Sequence, residues 1–98
     1  MIRLTELYEN NERSMGNLTS MMNIGKEIER KLNSIGIFTP EDLINEGSKK
    51  AFLRLKHAHP NVCLAHLYVI HGAINNTDYR ALTSEIKHDL KRYSDSIK

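Results

Sequence analysis

Met21-Met22-Asn23-Ile24-Gly25-Lys26 is the stretch on which the reading of this chain depends. Asn is the non-glycine residue most at ease with a positive φ, and a glycine follows two positions later. The backbone can therefore reverse around the apolar Ile24. From there Ile24, Ile28, Leu32 and Ile35 recur at helical spacing with charged residues between them, as an amphipathic helix requires. Gly36 follows as a left-handed stop, with Ile37 placed to fold back onto the helix.

Reading towards the C-terminus, Thr39-Pro40-Glu41-Asp42 predicts a second helix. Thr39 is the cap and Asp42 takes the acidic position of a capping box. Pro40 sits where a missing N–H costs nothing. Gly47 should end that helix. Ser48 can cap a third helix to about His57, with Ala51, Phe52 and Leu55 inward. Pro60 and Asn61 begin a fourth. Val62 to Ile74 is apolar on nearly every face, which marks a central helix and makes Cys63 a buried small hydrophobe. Gly72 costs about 1 kcal/mol in that helix relative to Ala, and a close helix crossing would justify it. Asn75-Asn76-Thr77 is a turn. Tyr79, Leu82, Ile86, Leu90 and Tyr93 form a last stripe, broken and re-capped at Thr83. No segment alternates like a strand, so the fold is all-α, with five or six short helices.

Towards the N-terminus, Asn17 can cap a short helix from Leu18 to Met22. Residues 1–16 are polar, with Leu4, Leu7 and Tyr8 on one helical face. They read as an arm or short helix preceding a domain over residues 17–95. Met15, Met21 and Met22 read as core filler, the alternative being an adaptable apolar patch.

The chain has 98 residues, 40% hydrophobic and 27% charged, enough for one globular domain. With one cysteine it has no internal disulfide. It has no apolar run of about 20 residues and no signal-peptide pattern, so a cytoplasmic protein without membrane contact is expected. The net charge is +2, and all of the excess lies in residues 23–60, which hold seven basic residues against five acids. That is a weak electrostatic hint of a polyanion partner.

The stretch from Met21 to Lys26, with the helices around it, resembles a helix-hairpin-helix, in which an h-x-G-h-G turn joins two helices and h is apolar. Ile24 would plug the core. The amides of the turn and of the next helix's first residues would face outward, where the helix dipole favours a phosphate. The DNA-backbone contacts expected on this reading are Asn23, Ile24, Gly25 and Lys26. Arg30, Lys49, Lys50 and Arg54 join them on charge alone. Such contact is sequence-independent and salt-sensitive. Asn23 in place of the first glycine, and Glu29 where a small residue usually sits, weaken the DNA-binding case. The alternative is a protein-interaction or homodimerising module whose hairpin is only a packing unit.

Other chemistry is thinly represented. His57, His59, Cys63 and His66 are zinc-ligand types, but Pro60 interrupts them. Cys63 and His66 could pair as nucleophile and base, without an orienting acid nearby. No phosphate-loop, dinucleotide or metalloprotease motif occurs. No catalytic residue, metal or cofactor is expected, and the chain reads as a non-enzyme.

A wider pattern runs through Asn23-Ile24-Gly25, Leu32, Gly36-Ile37, Thr39, Asp42-Leu43, Gly47-Ser48, Ala51-Phe52, Leu55, Val62-Cys63, Leu67-Tyr68 and Gly72-Ala73-Ile74. As an ensemble it resembles the C-terminal domain of the TfoX (Sxy) family of bacterial competence regulators, over about residues 15–93. The resemblance implies a link to DNA transformation and transcription regulation, acting in some bacteria with the cyclic-AMP receptor protein. Regulatory members carry a separate domain ahead of this one. Only about 16 residues precede it here, so that domain is not expected in this chain.

Overall fold

The first helix stops where its glycine requires. The computed structural model describes residues 17–97, and in it α1 spans Lys26–Asn33. Gly36 has φ +88°. Its N–H donates to the Asn33 carbonyl at 3.1 Å, and the Ile37 N–H donates to the Leu32 carbonyl at 3.0 Å. This paired closure leaves Ile37 buried against the core, as expected. The capping box also forms. The Asp42 N–H donates to Thr39 Oγ1 at 3.1 Å, and Asp42 Oδ2 accepts from the Thr39 N–H at 3.2 Å. It opens α2, Pro40–Glu46.

Gly47, at φ +86°, ends α2 and is also the N-cap of α3, Ser48–Ala58. Ser48 is therefore the first residue of α3 and not its cap. The fourth helix, α4, spans Leu64–Ile74, three to four residues later than Pro60-Asn61 suggested. A Tyr79–Ala81 3-10 turn follows, and then α5, Ser84–Ser96, capped by Thr83 Oγ1 accepting from the Ile86 N–H at 3.2 Å. Leu18–Ser20 is a single 3-10 turn where a short helix to Met22 was expected. Asn17 contributes its carbonyl there, not its side chain. The expected N-terminal arm with Leu4, Leu7 and Tyr8, and Met15, lie outside the described residues.

Helix α4 is central and packs against α2, α3, α5 and the Tyr79–Ala81 turn. Leu18, Ile24, Leu32, Ile37, Leu43, Phe52, Leu55, Leu67, Ile70 and Leu90 meet in one core. Each buried side chain of this size contributes about 1.5–3 kcal/mol. Met21 packs against this core while Met22 is exposed. Among the described residues there is no strand, so the chain is all-α with five α-helices. None of them is long and apolar enough to cross a membrane.

The Cys63 expectation is overturned. Cys63 is exposed. Its backbone is extended, because it is the N-cap of α4 and not an interior residue. Val62, 1% exposed, takes the inward place.

Candidate functional site

The hairpin turn is held from both sides. The Met21 N–H donates to the Leu18 carbonyl at 2.9 Å and the Ile24 N–H to the Met21 carbonyl at 3.3 Å. Asn23 carries the left-handed step at φ 75°. Ile24 is 6% exposed and plugs the core, as the pattern predicts. Gly25 is the N-cap of α1, in extended backbone, with no side-chain cap. A Cβ on Gly25 would meet nothing within 4 Å. The first hydrogen bond of α1 runs from the Glu29 N–H to the Gly25 carbonyl at 3.0 Å. The N–H groups of Lys26, Glu27 and Ile28 therefore stand at an open helix start, at the positive end of the dipole.

The Asn23 side chain turns inward. Its amide Nδ2 donates to the Thr77 carbonyl at 2.9 Å and to the Val69 carbonyl at 3.4 Å. Its Oδ1 accepts from the Tyr79 N–H at 3.3 Å. Gly72 makes this approach possible. A Cβ there would lie 2.5 Å from the Thr77 carbonyl oxygen and 2.6 Å from Asn23 Nδ2. The close crossing expected at Gly72 is thus with a turn and a loop, not with a second helix. Asn23 fixes the hairpin to α4, while Gly25 and Lys26 stay at the surface.

Of the eight expected contact residues, only Asn23, Ile24, Gly25 and Lys26 form one local unit. Arg30 lies on α1, where Nη2 and Nη1 reach the two Glu27 oxygens at 2.8 and 3.2 Å. That pair holds the Glu27 carboxyl below the usual carboxylate range. Glu27 and Glu29 both sit in the first turn of α1 and reduce its pull on an anion. Arg54 binds the Ile35 carbonyl and Glu46, at the far end of α1, about 12 Å along the helix axis. Lys49 pairs with Asp89 of α5 at 2.9 Å and lies 5.6 Å from the Tyr93 ring centre. Lys50 is exposed on α3.

Two neighbours of the turn escape sequence reading. Tyr79 is 37% exposed and bonded to Asn23. The Arg80 guanidinium lies 5.9 Å from its ring centre. Arg80 also grips Asp78 at 2.7 Å and lowers the Asp78 carboxyl to about 2. These residues lie more than fifty positions from the hairpin, and no local pattern links them to it.

The histidines are dispersed. His59 Nε2 is 2.9 Å from Ser34 Oγ, and His71 Nδ1 is 2.9 Å from Ser48 Oγ. Among the described residues no three His, Cys, Asp or Glu side chains gather as a metal group would require. Burial, and then nearby lysines, push His66 and His71 below the ordinary value of 6.5. Both are therefore neutral in the fold at pH values where the unfolded chain begins to protonate. Their stabilisation is complete above about pH 6.5 and is lost as pH falls through the unfolded value towards the lower folded ones. The thermal midpoint should fall between about pH 7.5 and about pH 5.5, and part of that fall should disappear in His71→Gln. A profile unchanged by that substitution would contradict the assignment.

The family model described as the TfoX C-terminal domain matches residues 14–93. Two solved structures from Listeria monocytogenes are similar. One is a triclinic crystal form of an uncharacterized protein, 38% identical with a TM-score of 0.81, covering 84% of this chain and 93% of that one. The other is a tetragonal form of a protein of unknown function, 36% identical with a TM-score of 0.79, covering 82% of this chain and 99% of that one. None of the curated proteins matches.

Proposed function

The chain belongs to the TfoX C-terminal domain family, and from that premise we propose that it is a small regulatory module that holds a DNA backbone at the Gly25–Lys26 helix start. One observation carries this reading. The first turn of α1 has no side-chain cap, is exposed, and is presented by a turn that Asn23 anchors to α4 and to the loop after it. A preorganised set of outward amides beside Lys26 can take a phosphate oxygen without first being ordered. Glu27 and Glu29 oppose that charge, so the affinity is weak, at roughly 10⁻⁴–10⁻⁶ M, and is lost with salt.

The test is fluorescence anisotropy with a labelled random-sequence duplex at low and physiological salt. Binding at low salt that falls steeply with salt supports the reading, and no binding at low salt overturns it. Gly25→Glu should abolish binding while leaving the thermal midpoint nearly unchanged, because the site around Gly25 is open. Lys26→Ala should reduce the salt slope by about 1.

A second reading is favoured by Phe38 and Ile44, which are 58% and 51% exposed near and on α2. Side chains of this kind suit a protein partner or a second copy of the chain. Light scattering separates the two. A monomer with salt-sensitive DNA binding fits the first, and a dimer indifferent to salt and DNA fits the second.

A further inference from the structure

The exposed Cys63 opens onto a cleft of about 300 Å³ between the start of α4, the end of α3 and the last turns of α5. Lys56, Leu64, Lys91, Ser94 and Asp95 line the rest of it. Three features set this thiol apart from an ordinary surface cysteine. His66 Nδ1 accepts from the Cys63 N–H at 3.1 Å and lies 3.6 Å from Cys63 Sγ, so its one lone pair is shared between that N–H and the thiol. Lys56 and Lys91 also line the cleft, the Lys56 ammonium donating to the Pro60 and Val62 carbonyls at 3.2 and 2.7 Å and that of Lys91 pairing with Asp95 at 3.0 Å. Ser94 is only 8% exposed, yet its hydroxyl makes no hydrogen bond among the described residues and borders the same cleft. A buried hydroxyl left without a partner is unusual, and it suits a ligand that supplies one.

We propose that Cys63 is a site of reversible S-thiolation by a small zwitterionic disulfide of the amino-acid class. Lys91 would receive the carboxylate, Asp95 the ammonium and Ser94 a remaining polar atom. In the exchange, the Cys63 thiol passes its proton to His66 Nδ1 and the thiolate attacks one sulfur of the disulfide. A new S–S bond to Cys63 forms as the reagent's own S–S bond breaks. The departing thiolate takes the proton from His66. Cys63 is oxidised to the disulfide level, and the reagent is reduced to a thiol by the same two electrons. The modified side chain would fill the cleft between α4 and α5, far along the chain from the hairpin.

The test follows mixed-disulfide formation by intact-mass spectrometry with cystine and with the uncharged bis(2-hydroxyethyl) disulfide. The folded chain should react with cystine about tenfold faster than the same chain unfolded in urea. Lys91→Gln and Ser94→Ala should slow cystine and leave the uncharged reagent unaffected. His66→Gln should slow both reagents at neutral pH. Gln at this position can still accept from the Cys63 N–H, so the helix start is kept, and circular dichroism checks the fold. Equal rates for the folded and unfolded chain would overturn the site. Equal rates for the two reagents on the folded chain would overturn the ligand class.

Discussion

Gly72→Ala should lower the thermal midpoint by roughly 10 °C, the largest effect expected from a single added carbon in this chain. At an ordinary helical position the same change would stabilise by about 1 kcal/mol through helix propensity. Here the new Cβ would lie 2.5 Å from the Thr77 carbonyl oxygen, 2.6 Å from Asn23 Nδ2 and 3.3 Å from the Tyr79 Cα. Two of those three atoms are backbone, so a side-chain rotation cannot relieve the contact. The loop after α4 must move away, and the hydrogen bonds of Asn23 go with it. Overpacking of this kind costs about 3 kcal/mol, leaving a net loss of about 2 kcal/mol after the propensity gain. Each kcal/mol is worth about 4–8 °C in a domain of this size. A midpoint equal to or above that of the parent chain would show that the loop yields freely.

Asn23→Gly separates two roles that one residue can hold. If Asn23 only supplied a left-handed turn, Gly would serve as well or better, since it adopts positive φ without penalty. The structure predicts the opposite. Losing the bonds to the Thr77 carbonyl and from the Tyr79 N–H should destabilise the fold by about 1–3 kcal/mol. Asn23→Ala should be worse, because strain at φ 75° adds about 1 kcal/mol. Denaturant unfolding measures both. The double change with Gly72→Ala should cost less than the sum of the two, because both act on the same contact. On the proposed function, Asn23→Gly also loosens the hairpin. DNA affinity should then fall even though Gly25 and Lys26 are untouched.

Which parts were legible depends on how far away each partner lies. The Gly36-Ile37 stop, the Thr39–Asp42 capping box and the Gly47 break each close hydrogen bonds within about six residues, so their signals lie in short windows of sequence. The Ile24 plug and the inward Ala51, Phe52 and Leu55 follow from periodicity. Ser48 does not serve as the expected cap, because Gly47 holds that place and the Ser48 hydroxyl bonds His71 on another helix. Cys63 departs from its expected burial because the apolar run from Val62 is not one continuous helix. The chain instead stays extended at Cys63, and Lys56 Nζ ties down the Pro60 and Val62 carbonyls at 3.2 and 2.7 Å. Lys49 and Arg54 meet acids of other helices, Asp89 and Glu46, which packing alone brings near, whereas Arg30 meets Glu27 three residues back on its own helix.

The sequence by itself determined an all-α chain, most of its helix ends, its core and its family pattern. Those depend on local backbone hydrogen bonding and on the spacing of apolar side chains. Only the tertiary structure decided that Asn23 points inward, that Gly72 exists for a turn, that Lys91 and Ser94 of α5 border the cleft at Cys63, and that Lys49 and Arg54 are already paired. Each of those outcomes depends on atoms brought within a few ångströms by packing, and no local pattern of residues carries that distance.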